Sequence, residues 1–184
     1  MTVRAPMALA PPKRCSCGPC PRLPQASQPG YNDTGMSYPG FRREPDNPCD
    51  GCHECGLRCT SGIRMQRGEF DRIVELLRSS DPSQVDRVLN QEKLVHWFED
   101  ITAEACLFYD MTRRGCLIYP ARPLICRLFG RVEWLPCPME RPLRLIQGWK
   151  ELLDTYAKER RATFAEWCTN AGIFDFRQLT KAAG

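Results

Sequence analysis

The stretch CDGCHECGLRC, residues 49 to 59, decides how the rest of the chain is read. Four thiols, Cys49, Cys52, Cys55 and Cys59, follow one another as C-x2-C-x2-C-x3-C. Asp50, Gly51, His53, Glu54 and Gly56 fill the gaps. They offer no core to pack into, so these cysteines are not read as buried small hydrophobes. Metal ligation takes that place. A C-x2-C turn brings two sulfurs close enough for one tetrahedral ion. Three cysteines in succession suit the larger body of an iron–sulfur cubane, and bacterial ferredoxins carry C-x2-C-x2-C-x3-C-P. Here Thr60 replaces that proline, while Cys137-Pro138 supplies a remote Cys-Pro pair. No second C-x2-C knuckle follows residue 59, which tilts the reading from a zinc ribbon toward iron–sulfur.

Working outward, composition narrows the class. Twelve cysteines in 184 residues is about 6.5 %, short of the ~8–10 % of a small disulfide scaffold. The formal net charge is +4 and the pI about 8.5. That is mildly basic and well below a nucleic-acid-binding stripe. No apolar run is long enough to span a membrane. MTVRAPMALAPPKR at the N-terminus is interrupted by prolines and lacks a signal-peptide apolar region, so a cytoplasmic location is expected. In such a reducing compartment clustered thiols read as metal or redox chemistry.

Residues 1–45 are rich in Pro, Gly, Ser and Arg without apolar periodicity and are expected to be a disordered arm. The arm holds Cys17-Gly18-Pro19-Cys20, a thioredoxin-like tetrapeptide. Its flanks, PPKR and PRLPQ, cannot form the strand and helix that lower such a thiol's pKa, so Cys17 and Cys20 are expected to be dispensable. Beyond the cluster, Phe70, Ile73, Val74 and Leu77 recur at helical spacing and predict a helix over 68–79. Asp81-Pro82 predicts another helix start, as N-cap and N1. EACLFYD and GCLIYP, separated by MTRRG, predict a β-hairpin. RPLICRLFG predicts a short helical turn ended by Gly130. From 141 to 168 the pattern is helical, with Leu143, Ile146, Trp149, Leu152, Leu153, Tyr156, Phe164 and Trp167 on its apolar face. The expected organisation is α+β: a small metal-stapled domain over 46–138 with a cysteine-rich loop, a hairpin and several helices, and a helical extension over 139–184 packed on it.

Four further cysteines, Cys106, Cys116, Cys126 and Cys137, lie downstream at nearly even spacing. Together with the first block they make eight candidate metal ligands. Cys168 beside Trp167 reads as a core residue. Cys126 is the favoured fourth ligand, because Pro123 opens a short helix that would hold it rigidly; Cys116 and Cys137 follow. Four thiolates on a divalent ion, or on a cubane of charge 2+, leave −2. Arg113, Arg114, Arg122, Arg127 and Arg131 surround the later cysteines and can offset it. Pro48-Cys49-Asp50-Gly51-Cys52 is half of a zinc-deaminase signature, but the upstream His/Cys-x-Glu half is missing. His53 reads as a solvated loop residue. No Gly-rich phosphate cradle occurs.

The string C-x2-C-x2-C, a helix after Glu69, Cys106-Leu-Phe-Tyr-Asp, and Cys116-x-x-Tyr119-x-x-Arg122-Pro123-x-x-Cys126-Arg127-x-Phe129 resembles the YkgJ-like cysteine-cluster family, the zinc- or iron-chelating CxxCxxCC domain. The resemblance covers about residues 46–138. It departs from the family pattern in one respect: the final adjacent pair is split here into Cys55 and Cys59. The resemblance implies metal binding, with an iron–sulfur cluster as a recurrent form, and kinship with longer flagellin lysine N-methylases. Three functions follow as expectations. One is a metal-cluster protein, with a [4Fe–4S] centre or Zn/Fe ions, in redox or protein-modification work. Another is a structural zinc module mediating protein–protein interaction. The third is a lysine N-methylase-like modifying protein, for which the sequence names no general base. A protein partner or substrate is expected; nucleic acid and membrane are not.

Overall fold

The computed structural model describes residues 59–98, 101–137 and 145–179. The expected arm and Cys49, Cys52 and Cys55 lie outside the described residues. The order is β1 (Arg64–Gln66), α1 (Arg67–Ser79), α2 (Pro82–Leu89), β2 (Leu94–Phe98), β3 (Ile101–Glu104), β4 (Tyr109–Asp110), β5 (Gly115–Cys116), α3 (Leu124–Arg127), α4 (Trp149–Lys158), β6 (Arg161–Thr163) and α5 (Phe164–Asn170). Short 3-10 turns at Tyr119–Ala121 and Phe176–Leu179 complete it. The architecture is α+β, as expected. Among the described residues no helix is long and apolar enough to cross a membrane.

The helix predicted over 68–79 is α1, one residue longer at its start. Its apolar stripe buries Phe70, Ile73, Val74 and Leu77, the last at 0 % exposure. Each such side chain contributes roughly 1.5–3 kcal/mol. Leu77→Ala would cost about 2–5 kcal/mol through the cavity it leaves. Asp81 caps α2 as the sequence predicts: its carboxylate accepts the Ser83 N–H at 3.0 Å, and Pro82 stands at N1.

The expected hairpin is present but short. Tyr109 pairs with Cys116 and Asp110 with Gly115. The chain before it turns instead of extending, with the Tyr109 N–H donating to the Cys106 carbonyl at 2.9 Å. Asp110 holds the connection. It accepts two bonds from the Arg87 guanidinium at 2.8 and 3.1 Å, one from Gln91, and the N–H groups of Thr112 and Arg113. These donors, the Arg87 guanidinium first, hold its carboxyl well below the usual carboxylate range.

Positions 141–144, with Leu143, lie outside the described residues, and the described part, 145–168, is not one helix. Helix α4 ends at Lys158, and Arg161–Thr163 form β6, which pairs antiparallel with β1 (Arg64↔Thr163, Met65↔Ala162, Gln66↔Arg161). The local reason is Thr163. Its hydroxyl accepts the Glu166 N–H at 3.2 Å while the Glu166 carboxylate accepts the Thr163 N–H at 2.7 Å. Such a capping box starts a new helix. One pair is absent from the sequence reading: β2 and β3 run antiparallel, from Leu94↔Glu104 to Phe98↔Ile101, with an irregularity between His96 and Phe98.

Two apolar clusters carry the packing. The larger gathers the buried face of α1 with Phe108, Phe164 and Trp167; the smaller gathers Leu124, Leu128, Val132, Ile146 and Tyr156 around α3 and α4. Glu69, with 0 % exposure, joins them. Its carboxylate accepts the Gln66 N–H at 2.8 Å, the Leu124 N–H at 2.6 Å and the Tyr156 hydroxyl at 2.5 Å. Leu124 is the first residue of α3, so a carboxylate on α1 satisfies a helix-start donor of α3 that no local side chain reaches.

Candidate metal centre

The thiols are assembled by short backbone contacts. The Cys106 N–H donates to the Cys59 carbonyl at 2.8 Å, and Thr60 bridges Ala105. Cys116 sits on β5 opposite Tyr109, one turn beyond Cys106. Cys126 lies in α3, where its N–H donates to the Pro123 carbonyl at 3.0 Å. Pro123 is the N-cap of that helix, one position earlier than expected.

The charges of Cys59 and Cys106 reach both Cys116 and Cys126. Burial pushes the Cys116 thiol up to about 12, and the charges of Cys106 and Cys59 add to the rise. Burial also raises Cys126 well above an ordinary thiol, with Cys106, Cys59 and Cys116 adding to it. Cys106 is raised by burial, and the Lys93 ammonium pulls it back. Thiols packed this way stay protonated at neutral pH unless a cation joins them, and a coordinating metal ion deprotonates them outright. Among the described residues no three His, Cys, Asp or Glu side chains already form a set that could hold a metal ion.

Two cations face the group. Arg122 lowers both the Cys116 and the Cys126 thiol pKa. Its guanidinium lies 3.8 Å from the Tyr119 ring centroid, and its Nε is buried without a hydrogen-bond acceptor among the described residues. Lys93 is 8 % exposed and donates from Nζ to the Tyr109 carbonyl at 2.5 Å. Burial lowers its pKa, while Cys106 and Asp110 hold it up. Two positive charges match the −2 of a tetrathiolate on a divalent ion. Soft thiolates of this kind select zinc or iron–sulfur, so the donor set fits such a group.

The other sequence candidates are placed differently. Cys137 is half-buried in the segment after the Val132–Leu135 bridge. Cys168 is 2 % exposed within the larger apolar cluster, the core position expected of it. Arg113 and Arg114 are exposed on the hairpin turn, and Arg127 donates from Nε to the Arg122 carbonyl at 2.7 Å. Of the five arginines, Arg122 lowers the raised Cys116 and Cys126 thiols. Lys93 was not among the sequence candidates. Its only sequence signal is a charged residue placed before an apolar run, LVHWF, which marks a chain entering a strand and nothing more.

Comparison with known proteins agrees with this chemistry. No curated protein and no solved structure matches the chain. Residues 48–169 match the model of the CxxCxxCC family, described as "Putative zinc- or iron-chelating domain". The matched span takes in the whole thiol group together with β6 and most of α5. The chain therefore belongs to the CxxCxxCC zinc- or iron-chelating family.

Proposed function

We propose that Cys49, Cys52 and Cys55 hold iron or zinc with Cys126 as the fourth thiolate and Cys59, Cys106 and Cys116 beside it, a [4Fe–4S] cluster being the form the C-x2-C-x2-C spacing favours. The observation that carries this reading is the backbone pairing that sets Cys59 against Cys106 and puts Cys116 on the hairpin strand opposite Tyr109, with Lys93 held at the Tyr109 carbonyl. The group when bound would supply charge and, as a cluster, one-electron chemistry. The chain's own residues deliver the thiolates, place Cys126 on a helix fixed by Glu69, and balance charge. The role proposed is redox or protein-modifying work on a protein partner.

A second reading is favoured by one feature. Strands β4 and β5 have two residues each and α3 has four. Pieces this short do not stand alone in water. Metal binding would then also be folding free energy, on the order of 10 kcal/mol for a structural zinc. Purification without oxygen, followed by metal and sulfide analysis, separates the two. Iron with matching sulfide and broad visible absorption supports the cluster. Zinc without sulfide supports the structural module. Protein free of both, with an unchanged melting curve, would sink both readings.

A further inference from the structure

We infer that the cleft beside the β1–β6 pair binds an acidic peptide segment, with Arg64, Arg160 and Arg161 as its carboxylate-binding residues. This reading is independent of which metal the thiols hold. The cleft has a volume of about 330 Å³ and is lined by the three arginines with Ala162, Glu166, Thr169 and Asn170. That volume is at the low end for small-ligand pockets, which are mostly apolar. Among the described residues Ala162 is the one apolar side chain of the lining, which favours a small charged occupant.

Aromatic faces hold Arg160 and Arg161, while the single rim carboxylate, Glu166, draws on Arg64 and Arg160. The Arg160 guanidinium lies 5.2 Å from the Trp167 ring and that of Arg161 5.5 Å from the Tyr156 ring. Arg64 donates from Nη2 to the Arg161 carbonyl at 2.9 Å. Aromatic faces orient a guanidinium without neutralising it. Among the described residues neither Arg160 nor Arg161 has a carboxylate at ion-pairing distance. Glu166 stands 3.8 Å from Arg64, but its carboxylate is already bonded to the Thr163 N–H. Three guanidiniums against one engaged carboxylate leave the cleft with a surplus of two positive charges.

Carboxylates fit this better than phosphates for two reasons. Arg64 pairs with Thr163 and Arg161 with Gln66, so the two arginines are diagonal neighbours on one face, roughly 7–8 Å apart, a spacing served by separate singly charged side chains. Glu166 at the rim opposes a doubly charged oxyanion more than a singly charged one. Planar guanidiniums take carboxylates in a two-pronged geometry.

The test uses the full chain with its metal and a fluorescently labelled short peptide rich in Asp and Glu. Anisotropy should show binding that weakens with salt. The Arg160→Gln/Arg161→Gln double variant should bind roughly tenfold or more weakly, and Arg113→Gln/Arg114→Gln should bind as the natural chain does. Because a folding defect also lowers binding, Glu166→Gln provides the opposite sign: removing the rim carboxylate should tighten binding. Equal binding of a Gln/Asn analogue, no loss in the arginine double variant, or tighter binding of inorganic phosphate or an oligonucleotide would each overturn the proposal.

Discussion

Helices α1 and α5 begin in the same way and end up doing different work. Each follows a three-residue strand, and the two strands pair about a local two-fold centred on Met65 and Ala162. Arg64-Met-Gln-Arg-Gly-Glu69-Phe70 and Arg161-Ala-Thr-Phe-Ala-Glu166-Trp167 align residue for residue. In both, the N3 glutamate accepts the N–H of the capping residue, Gln66 at 2.8 Å and Thr163 at 2.7 Å. The following aromatics meet across the axis, with ring centroids 6.3 Å apart. Glu166 is half-exposed and its reach stops at its own helix and Arg64. Glu69 is fully buried and also holds Leu124 and Tyr156. A local capping signal therefore fixes where a helix starts; burial of the same side chain decides whether it becomes a joint between helices.

The largest expected effect breaks that joint. Glu69→Ala strands the Gln66 and Leu124 N–H groups and the Tyr156 hydroxyl in the interior. Each orphaned donor costs ~1–3 kcal/mol, and relaxation recovers part of it, so about 3–5 kcal/mol of stability should be lost. Denaturant unfolding measures this. Bound metal should fall as well, because α3 carries Cys126. Full stability in this variant would show that the apolar clusters alone place α3.

Thiols sharpen the contrast next. Cys126 stands with other thiols and Cys168 stands in apolar packing on the α5 side. Cys126→Ala should release metal through gel filtration. Cys168→Ala should keep the metal and cost about 1 kcal/mol. The pH dependence has a definite sign. Burial raises the Cys168 thiol to about 11 from an ordinary value near 9. The unfolded chain therefore ionises first, and stability present below about pH 9 is lost as pH rises toward 11. Melting curves across that window should be flatter for Cys168→Ala than for the natural chain. Identical slopes would place this thiol in solvent.

How much of this was legible follows the same division. Helix α1 was readable because four apolar residues keep one period over three turns, and α2 because Asp81-Pro82 states its start chemically. The hairpin was readable from its two apolar runs. The break between α4 and α5 was missed although Thr163-Phe-Ala-Glu166 spells a capping box; apolar residues on both sides of it continue the helical period, and periodicity outweighed the cap. Three-residue strands such as β1 carry too few positions for a period-2 signal. At the site, the sequence named the thiols but not their grouping. The sequence ranked Cys116 and then Cys137 behind Cys126, and gave no sign that Cys106 is tied to Cys59 through a backbone bond. Selecting Arg122 from five arginines, and adding Lys93, requires knowing which side chains turn toward the sulfurs.

The smallest expected effect comes from making one substitution at both glutamates. Gln keeps an acceptor oxygen and can complete a capping box. At position 166 only one backbone donor, the Thr163 N–H, needs that oxygen, and solvent satisfies the new amide. Glu166→Gln should therefore melt at neutral pH almost as the natural chain does. Its difference should emerge in acid. Hydrogen bonds at Thr163 hold the Glu166 carboxyl below its usual range. The stabilisation is thus present above the unfolded value and lost as pH falls through the folded one, a loss the glutamine chain cannot show. At position 69 the same substitution meets donors on both oxygens. Whichever way the amide is turned, its NH2 faces an N–H from Leu124 or Gln66. Glu69→Gln should cost ~1–3 kcal/mol at neutral pH. Equal midpoints for the two glutamine variants would mean that the Glu69 joint holds no more than the Glu166 cap does.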